Sequence, residues 1–235
     1  MGFYAVLKSR RKEQTGFTLS FCGGKPIIPS SIQWPLCMDC YRPLTFFFQL
    51  QLPPGTPAQG RIVAVFYCVE CASEQTSYPR LETRPILGRG SAHPAEEVLN
   101  PSLWDYQINF RVLLFDNDDS LVLRDDIPPR VRFCEYELKP KPDFSPAQMV
   151  VYGQPSQEAD PNDVAYFYQG LEVAKVLHIP RGYTFPKTAD APLQRMPPMG
   201  GEPWFRKEDN YVLFSGAKLT ICAAIVDDTL VPFIL

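Results

Sequence analysis

Proline is the feature of this sequence that most limits its fold, because 25 of the 235 residues are prolines. That share is about twice the ~5% found in an average protein. Proline donates no backbone hydrogen bond and clashes with the preceding turn of a helix, so it breaks helix interiors. Long helical bundles, coiled coils and doubly wound folds with many long helices are therefore excluded. Since the chain is 45% hydrophobic, it can bury an ordinary core, and we expect that core to be built mainly from strands.

Charge and hydropathy narrow the class of protein. The formal net charge is −3 and the sequence pI is about 5.5, whereas a general nucleic-acid binder usually has a basic surface. No stretch approaches the ~18 apolar residues of a membrane span. The short apolar run at 3–7 is followed by positive charges, whereas a signal peptide has them before the run. We expect a cytoplasmic protein that contacts neither nucleic acid nor membrane.

The cysteines give the sharpest signal. Four of the seven form two C-x-x-C pairs, Cys37 with Cys40 and Cys68 with Cys71, with 27 residues between the pairs. The odd total argues against a secreted disulfide framework. The pattern predicts a structural Zn²⁺ held by all four thiolates, since four Cys ligands leave no coordination position open. Unmetallated thiols and a redox C-x-x-C stay as alternatives, although neither pair opens a recognisable helix, as a redox pair usually does.

The segment between the two pairs explains their wide spacing. Residues 43–52 place apolar side chains at period two and predict a strand, residues 53–60 are rich in turn formers, and residues 61–67 predict a second strand. Antiparallel pairing brings residues near 43 and near 67 together. Both C-x-x-C pairs then lie at the same end of one hairpin, within reach of one metal ion. The residues expected to share one face of the first strand are Leu44, Phe46, Phe48, Leu50 and Leu52.

The whole chain, 1–235, is interpreted as a single domain of mainly β class with antiparallel sheets and few short helices. Two pseudo-repeated halves are expected at about 1–140 and 160–235, joined by a proline-rich connection, with the zinc hairpin in the first half. One short helix is predicted at 94–99, and 163–177 is ambiguous between helix and strands. Further strands are predicted at 16–22, 106–115, 120–124, 131–138, 211–214, 218–226 and 231–235.

Several short motifs of the first half follow one another in a definite order. They are Gly23-Gly24-Lys25-Pro26, Trp34-Pro35, Pro43-Leu44-Thr45-Phe46-Phe47-Phe48-Gln49-Leu50, and Gly60 followed by Val65-Phe66-Tyr67-Cys68. This series resembles the YwqG-like domain family, whose pattern runs GGxP, WP, PLxFxxQ and a Gly before an aromatic strand. Gly200-Gly201-Glu202-Pro203 resembles the second GGxP element of that family. The first half is also similar to the programmed cell death 2 family. The resemblance implies a β-rich fold with pseudo-repeated halves and supplies no catalytic residue.

Signatures of catalysis are weak in this sequence. The two histidines, His93 and His178, stand alone, and the chain has no HExxH, GxSxG, P-loop or GxGxxG motif. The isolated histidines are more typical of surface or satisfied structural residues than of a nucleophile or metal site. We therefore predict no catalytic residue and no cofactor-binding residue, while a hydrolase with a cleft between the halves stays as an alternative.

The composition favours a protein-binding module. Trp34, Trp104 and Trp204 could anchor an interface or lie in the core, since Trp and Tyr dominate binding hot spots. We predict a bacterial immunity protein that neutralises a cognate toxin, such as a basic nuclease, by direct binding; a zinc-supported adaptor or chaperone is a further alternative. The acidic clusters that could face a basic partner are 116–119, 125–126, 158–160 and 227–228.

Overall fold

A computed structural model provides the structure of the chain. It describes residues 2–9, 14, 18–37, 39–71, 109–118, 120–153, 166–168, 171–196, 202, 204–213, 216, 218–226 and 229–234. The predicted helix at 94–99 lies outside these residues, as do His93, Trp104 and most of the second GGxP element.

The described residues form strands that pair antiparallel, which confirms the expectation of a mainly β fold. Within them, no helix has the length and apolar character needed to cross a membrane. The strands in chain order are β1 Phe3–Lys8, β2 Phe21–Cys22, β3 Ile27–Pro29, β4 Thr45–Gln51, β5 Ile62–Tyr67, β6 Phe110–Phe115, β7 Leu121–Leu123, β8 Cys134–Lys141, β9 Val150–Tyr152, β10 Tyr166–Tyr168, β11 Leu171–Ile179, β12 Thr184–Pro186, β13 Gln194–Met196, β14 Trp204–Arg206, β15 Asn210–Val212, β16 Leu219–Val226 and β17 Thr229–Ile234.

Eleven of these strands belong to one sheet in the order β17-β16-β11-β9-β1-β8-β2-β4-β5-β6, with β10 paired to β11. The sheet curls so that its two terminal strands, β6 and β17, approach each other. Three two-stranded sheets accompany it, formed by β12 with β15, β13 with β14, and β3 with β7. The first strand of the chain, β1, lies between β8 and β9, and β9 pairs with β11.

The sheet therefore runs through both predicted halves of the chain. The proline-rich connection contributes β9 to the interior of the sheet. The ambiguous segment at 163–177 contains β10 and the first part of β11, paired as antiparallel strands. The pseudo-repeat itself stays a prediction.

The predicted hairpin is formed by β4 and β5, with Thr45 opposite Tyr67 and Gln51 opposite Ile62. Its register shifts between Phe46 and Phe48, so Phe47 is the extra residue of a β-bulge. The bulge turns the strand over: side chains before it face one core cluster and those after it face another. The prediction of one continuous apolar face from Leu44 to Leu52 was therefore wrong.

Both faces of β5 are buried, which explains its uninterrupted apolar sequence. Val63, Val65 and Tyr67 pack into the larger core cluster. Ile62, Ala64 and Phe66 pack into the smaller cluster on the opposite face, which also contains Cys37, Cys68 and Cys71. Full burial of a Val or Phe side chain contributes about 1.5–3 kcal/mol, so the metal-ligand candidates are attached to a firmly packed strand.

The first GGxP element is a crossing point of the backbone. Gly23 and Gly24 have φ angles of 62° and 67°, in the left-handed region that favours glycine. The Gly23 N–H donates to the carbonyl of the bulge residue Phe47, and the Gly24 N–H donates to the carbonyl of Val131. A Cβ at position 23 would collide with the carbonyl oxygens of Val131 and Arg132. Both glycines are thus required for backbone reasons.

Candidate metal centre

The first C-x-x-C pair forms a tight turn that precedes β4. Leu36 bridges to Pro43, the Cys37 N–H donates to the Arg42 carbonyl, and the Tyr41 N–H donates back to the Cys37 carbonyl over 2.8 Å. These bonds hold the turn closed before any metal is considered. We call residues 36–43 the first knuckle.

The second C-x-x-C pair directly follows β5 and is fixed by its neighbours. The Cys68 N–H donates to the Asn109 carbonyl over 2.7 Å, and the Val69 carbonyl accepts from the Arg195 N–H over 2.8 Å. The next residue, Glu70, is bound by two arginines: one carboxylate oxygen lies 2.8 Å from Arg42 and the other 2.7 Å from Arg130. We call residues 68–71 the second knuckle. It joins the hairpin to three other parts of the chain.

The hairpin brings all four predicted sulfur atoms together. The Sγ atoms of Cys37, Cys40, Cys68 and Cys71 all lie within 4.8 Å of one another. Two contacts cross between the knuckles, with Cys37 and Cys71 separated by 3.4 Å and Cys40 and Cys68 by 3.6 Å. A regular tetrahedron with metal–sulfur bonds of ~2.3 Å has edges of about 3.8 Å. The four sulfurs therefore form a cluster of the size that a single metal ion requires.

Burial separates the four thiols into two groups. Cys37, Cys68 and Cys71 are buried within the smaller core cluster, whereas Cys40 is half-buried. A tetrahedral ion that is held by four cysteines has no position left for substrate, so the ligand set suits a structural ion rather than a catalytic one.

The acid–base behaviour of the four thiols also favours the binding of a cation. Close approach of the Cys68 and Cys71 thiols, the latter with its Sγ 3.4 Å away, lowers the pKa of the Cys37 thiol. The same closeness to Cys37 raises the pKa of Cys68 to about 12 and raises the pKa of Cys71 as well. Four thiolates this close repel one another, so they ionise together only when a cation offsets their charge.

Tyr41 follows the first C-x-x-C pair in an unusual conformation. Its φ angle is 58°, and it is the one non-glycine residue with positive φ in the described parts of the chain. A side chain in this region costs about 1–2 kcal/mol relative to glycine. The ring does not bury itself in return, because 75% of the residue is exposed. The knuckle thus holds a strained residue with its aromatic ring in solvent.

The three other cysteines behave largely as predicted. Cys22 and Cys222 are fully buried, and burial raises the pKa of Cys22 to about 11 and that of Cys222 to about 12, so both are neutral thiols. Cys134 lies opposite Cys22 across β2 and β8 but is only half-buried, and its thiol donates to the Ser9 carbonyl over 3.2 Å.

The remaining candidates from the sequence are distributed over the fold. His178 is buried on β11, with Nε2 3.3 Å from the Pro146 carbonyl and the Phe144 ring edge-on to the imidazole. Trp34 packs against the core and donates its indole N–H to the Leu44 carbonyl, whereas Trp204 is exposed. Asp125 and Asp126 pair with Lys25 and Arg124. The acidic clusters at 158–160 and 227–228 lie outside the described residues.

Sequence reasoning did not identify Arg130, Asn109 and Arg195 as supports of the second knuckle. They lie far from Cys68–Cys71 along the chain and carry no motif. The only local signal was Glu70, a carboxylate between two metal-ligand candidates. Its pairing with Arg130 depends on how distant segments pack in the fold, which the sequence does not reveal.

Comparison with known proteins adds no relative, since no family model matches the chain and no curated protein matches it significantly. The relation to YwqG-like domains stays a prediction.

Proposed function

We propose that this chain is a zinc-stabilised protein-binding module in which Cys37, Cys40, Cys68 and Cys71 hold one structural Zn²⁺. The observation that carries the proposal is the convergence of the four sulfurs within 4.8 Å of one another at the end of the β4–β5 hairpin. The ion would clamp the two knuckles together and thereby stabilise the segments bound to them.

The chemistry of the ligands favours zinc. Soft thiolates in a tetrahedral set bind Zn²⁺ or iron, whereas Mg²⁺ and Ca²⁺ prefer oxygen ligands. A set of four cysteines is the common ligand set of structural zinc. The seven cysteines are all free among the described residues, which agrees with a reducing, cytoplasmic location. We include that location in the proposal.

Protein binding is the activity that the surface favours. Tyr41, Trp204 and Phe205 are exposed, and aromatic residues of this kind provide much of the binding energy at protein interfaces. The more specific proposal is an immunity protein that covers the cationic cleft of a toxin, such as a basic nuclease. Its net charge of −3 would help to attract such a partner.

Metal analysis tests the first part of the proposal. The protein purified from cells grown with trace metals should contain about one Zn per chain and should show no iron–sulfur absorbance. Removal of the metal by a strong chelator should lower the melting temperature, and added Zn²⁺ should restore it. A protein that stays metal-free in the presence of Zn²⁺ and melts at the same temperature would contradict the zinc site.

Co-expression tests the second part. A tagged copy in the native host should co-purify with a basic protein, and the purified pair should separate as salt rises, because exposed charge pairs are screened over ~8–10 Å. The chain should then protect cells against that partner and show no turnover alone. A reproducible hydrolytic activity that is lost on His178→Gln, with folding intact, would instead support the hydrolase alternative.

A further inference from the structure

The two knuckles differ in how far they are exposed to solvent. In the first knuckle, Asp39, Tyr41 and Arg42 are exposed, and Cys40 among them is half-buried. Both cysteines of the second knuckle are buried, as is Cys37 of the first. Cys40 is therefore the member of the sulfur cluster that a small solute reaches from the solvent.

The sulfur atoms make contact across the knuckles. The Sγ of Cys40 lies 3.6 Å from that of Cys68, and the Sγ of Cys37 lies 3.4 Å from that of Cys71. A disulfide has a sulfur–sulfur distance of ~2.0 Å. The backbone bonds described above hold each knuckle in place, so the pairing of sulfurs follows their present contacts. Each cysteine of the first knuckle thus has a partner in the second with which a disulfide can close.

A bound metal ion would make these sulfurs reactive as well as adjacent. Zn²⁺ binds cysteine as the thiolate, and the thiolate is the form that peroxides oxidise. Cys134 provides the contrast, because it is also half-buried and lies opposite Cys22, yet its thiol donates a hydrogen bond to the Ser9 carbonyl over 3.2 Å and so is protonated. The ionised state that a metal imposes therefore distinguishes Cys40 from Cys134.

We propose that the metal centre is an oxidative modification site for hydrogen peroxide, in which Cys40 is attacked first and Cys68 is its disulfide partner. The Cys40 thiolate attacks one peroxide oxygen, the O–O bond breaks, hydroxide leaves, and Cys40 becomes a sulfenic acid. The Cys68 thiolate then attacks the Cys40 sulfur and displaces a second hydroxide. Two thiolates lose two electrons, and one peroxide gains them. This inference rests on the zinc centre proposed above and adds the regulation of that centre.

The disulfide removes two of the four ligands from the metal. A Zn²⁺ ion left with Cys37 and Cys71 has an incomplete ligand set, so it dissociates, and a second peroxide joins these two cysteines in the same way. The β4–β5 hairpin stays paired through its backbone. Reduction of the disulfides by a thiol, followed by added Zn²⁺, therefore restores the centre.

Zinc release from the purified, zinc-loaded chain measures the reaction. Hydrogen peroxide is added in the presence of a coloured zinc indicator, and the disulfides are mapped by alkylation and peptide mass spectrometry. We expect zinc release together with a Cys40–Cys68 disulfide. A thiol reductant with added Zn²⁺ should return both the metal and the melting temperature. At low peroxide, dimedone, which traps sulfenic acids, should label Cys40 before any other cysteine.

Two variants separate access to the centre from metal binding. Cys40→His keeps a complete ligand set, because three cysteines and one histidine also form a common structural zinc site. This variant should release zinc to peroxide at least about tenfold more slowly than the parent, since the exposed thiolate is absent. Cys134→Ser removes the other half-buried cysteine and should release zinc at the parental rate.

Retention of zinc in peroxide, first labelling at a cysteine other than Cys40, or disulfides only within each C-x-x-C pair would each overturn the inference. If Cys40→His binds no zinc, labelling and disulfide mapping of the parent still decide the matter. A parent that binds no zinc contradicts the proposed function, and this inference with it. A parent that binds zinc and resists peroxide contradicts only the regulation.

Discussion

The Sγ atoms of Cys37 and Cys71 lie 3.4 Å apart although 34 residues separate the two cysteines in the chain. The β4–β5 hairpin creates this proximity by backbone pairing alone, so the metal does not have to close the loop. A metal ion at the proposed site would act on the knuckles, where it would fix the backbone that bonds to Arg195 and the carboxylate that pairs with Arg130. Removal of a metal bound there should therefore weaken these two contacts before the rest of the sheet.

Cys37→Ser should remove the bound metal and destabilise the fold. Loss of about 3 kcal/mol lowers the melting temperature of a chain of this size by about 6–12 °C. Cys222→Ser is the matched control, because it places the same hydroxyl at an equally buried position away from the knuckles. Calorimetry and metal analysis of both variants check the result. Equal zinc content in the two variants would contradict a role for Cys37 as a ligand.

Gly23→Ala should destabilise the chain far more than Gly55→Ala. Both glycines have positive φ, at 62° and 77°, so both substitutions incur the conformational penalty of about 1–2 kcal/mol. Only at position 23 does the added Cβ meet backbone atoms, whereas the space around Gly55 is open. We expect a total loss of at least about 3 kcal/mol for Gly23→Ala. Urea unfolding measures the free energy of unfolding of both variants. Similar losses in the two would show that steric crowding is not the reason for glycine at position 23.

The sequence predicted the β4–β5 hairpin and the meeting of the four cysteines, for a physical reason. Period-two apolar patterns and a turn-rich connection act over a short stretch of chain, and the register of a hairpin follows from them. The bulge was not predictable, because Phe46, Phe47 and Phe48 are equally apolar and any of them could be the extra residue. Its position depends on Gly23, which binds the Phe47 carbonyl.

The order of the strands in the sheet could not be predicted from the sequence pattern either. Neither β1, of six residues, nor β9, of three, was predicted as a strand, yet they lie side by side within the large sheet. The two strands come from distant segments of the chain, and no local sequence feature specifies the strand with which each of them pairs. The same limit applies to the Glu70–Arg130 pair. The sequence shows both residues, but only the tertiary fold places them in contact.

Arg130→Met should cost more stability than Arg42→Met, although both arginines bind Glu70. The Arg130 side chain is 20% exposed and the Glu70 side chain 17%, whereas Arg42 is 60% exposed. A hydrogen bond to a charged partner away from solvent contributes about 1.5–3 kcal/mol, whereas an exposed pair contributes about 0–1 kcal/mol. We expect a loss of about 2 kcal/mol for Arg130→Met and less than about 1 kcal/mol for Arg42→Met. Urea unfolding measures the loss of unfolding free energy in each variant. A larger loss for Arg42→Met than for Arg130→Met would contradict the prediction.

His178 should make stability fall as the pH is lowered. Burial against Phe144 lowers the pKa of its imidazole below the usual 6.5, and Lys218 lowers it further, while the bond to the Pro146 carbonyl opposes both effects. Between the native pKa and 6.5, the unfolded chain binds a proton that the native chain does not. The free energy of unfolding therefore decreases from about pH 7 downwards and levels off below the native pKa.

His178→Gln isolates this contribution, since it keeps a polar group near the Pro146 carbonyl but cannot titrate. The difference in unfolding free energy between the parent and His178→Gln should shrink as the pH falls from 7.5 to 5.5. Loss of metal at low pH affects both proteins alike, so it cancels in the difference. Urea unfolding at several pH values measures the trend, and an NMR titration of the imidazole gives the native pKa directly. A difference that stays constant would show that folding does not shift the pKa of the imidazole, and a native pKa above 6.5 would show that folding stabilises its charged form; either result contradicts the effect of burial.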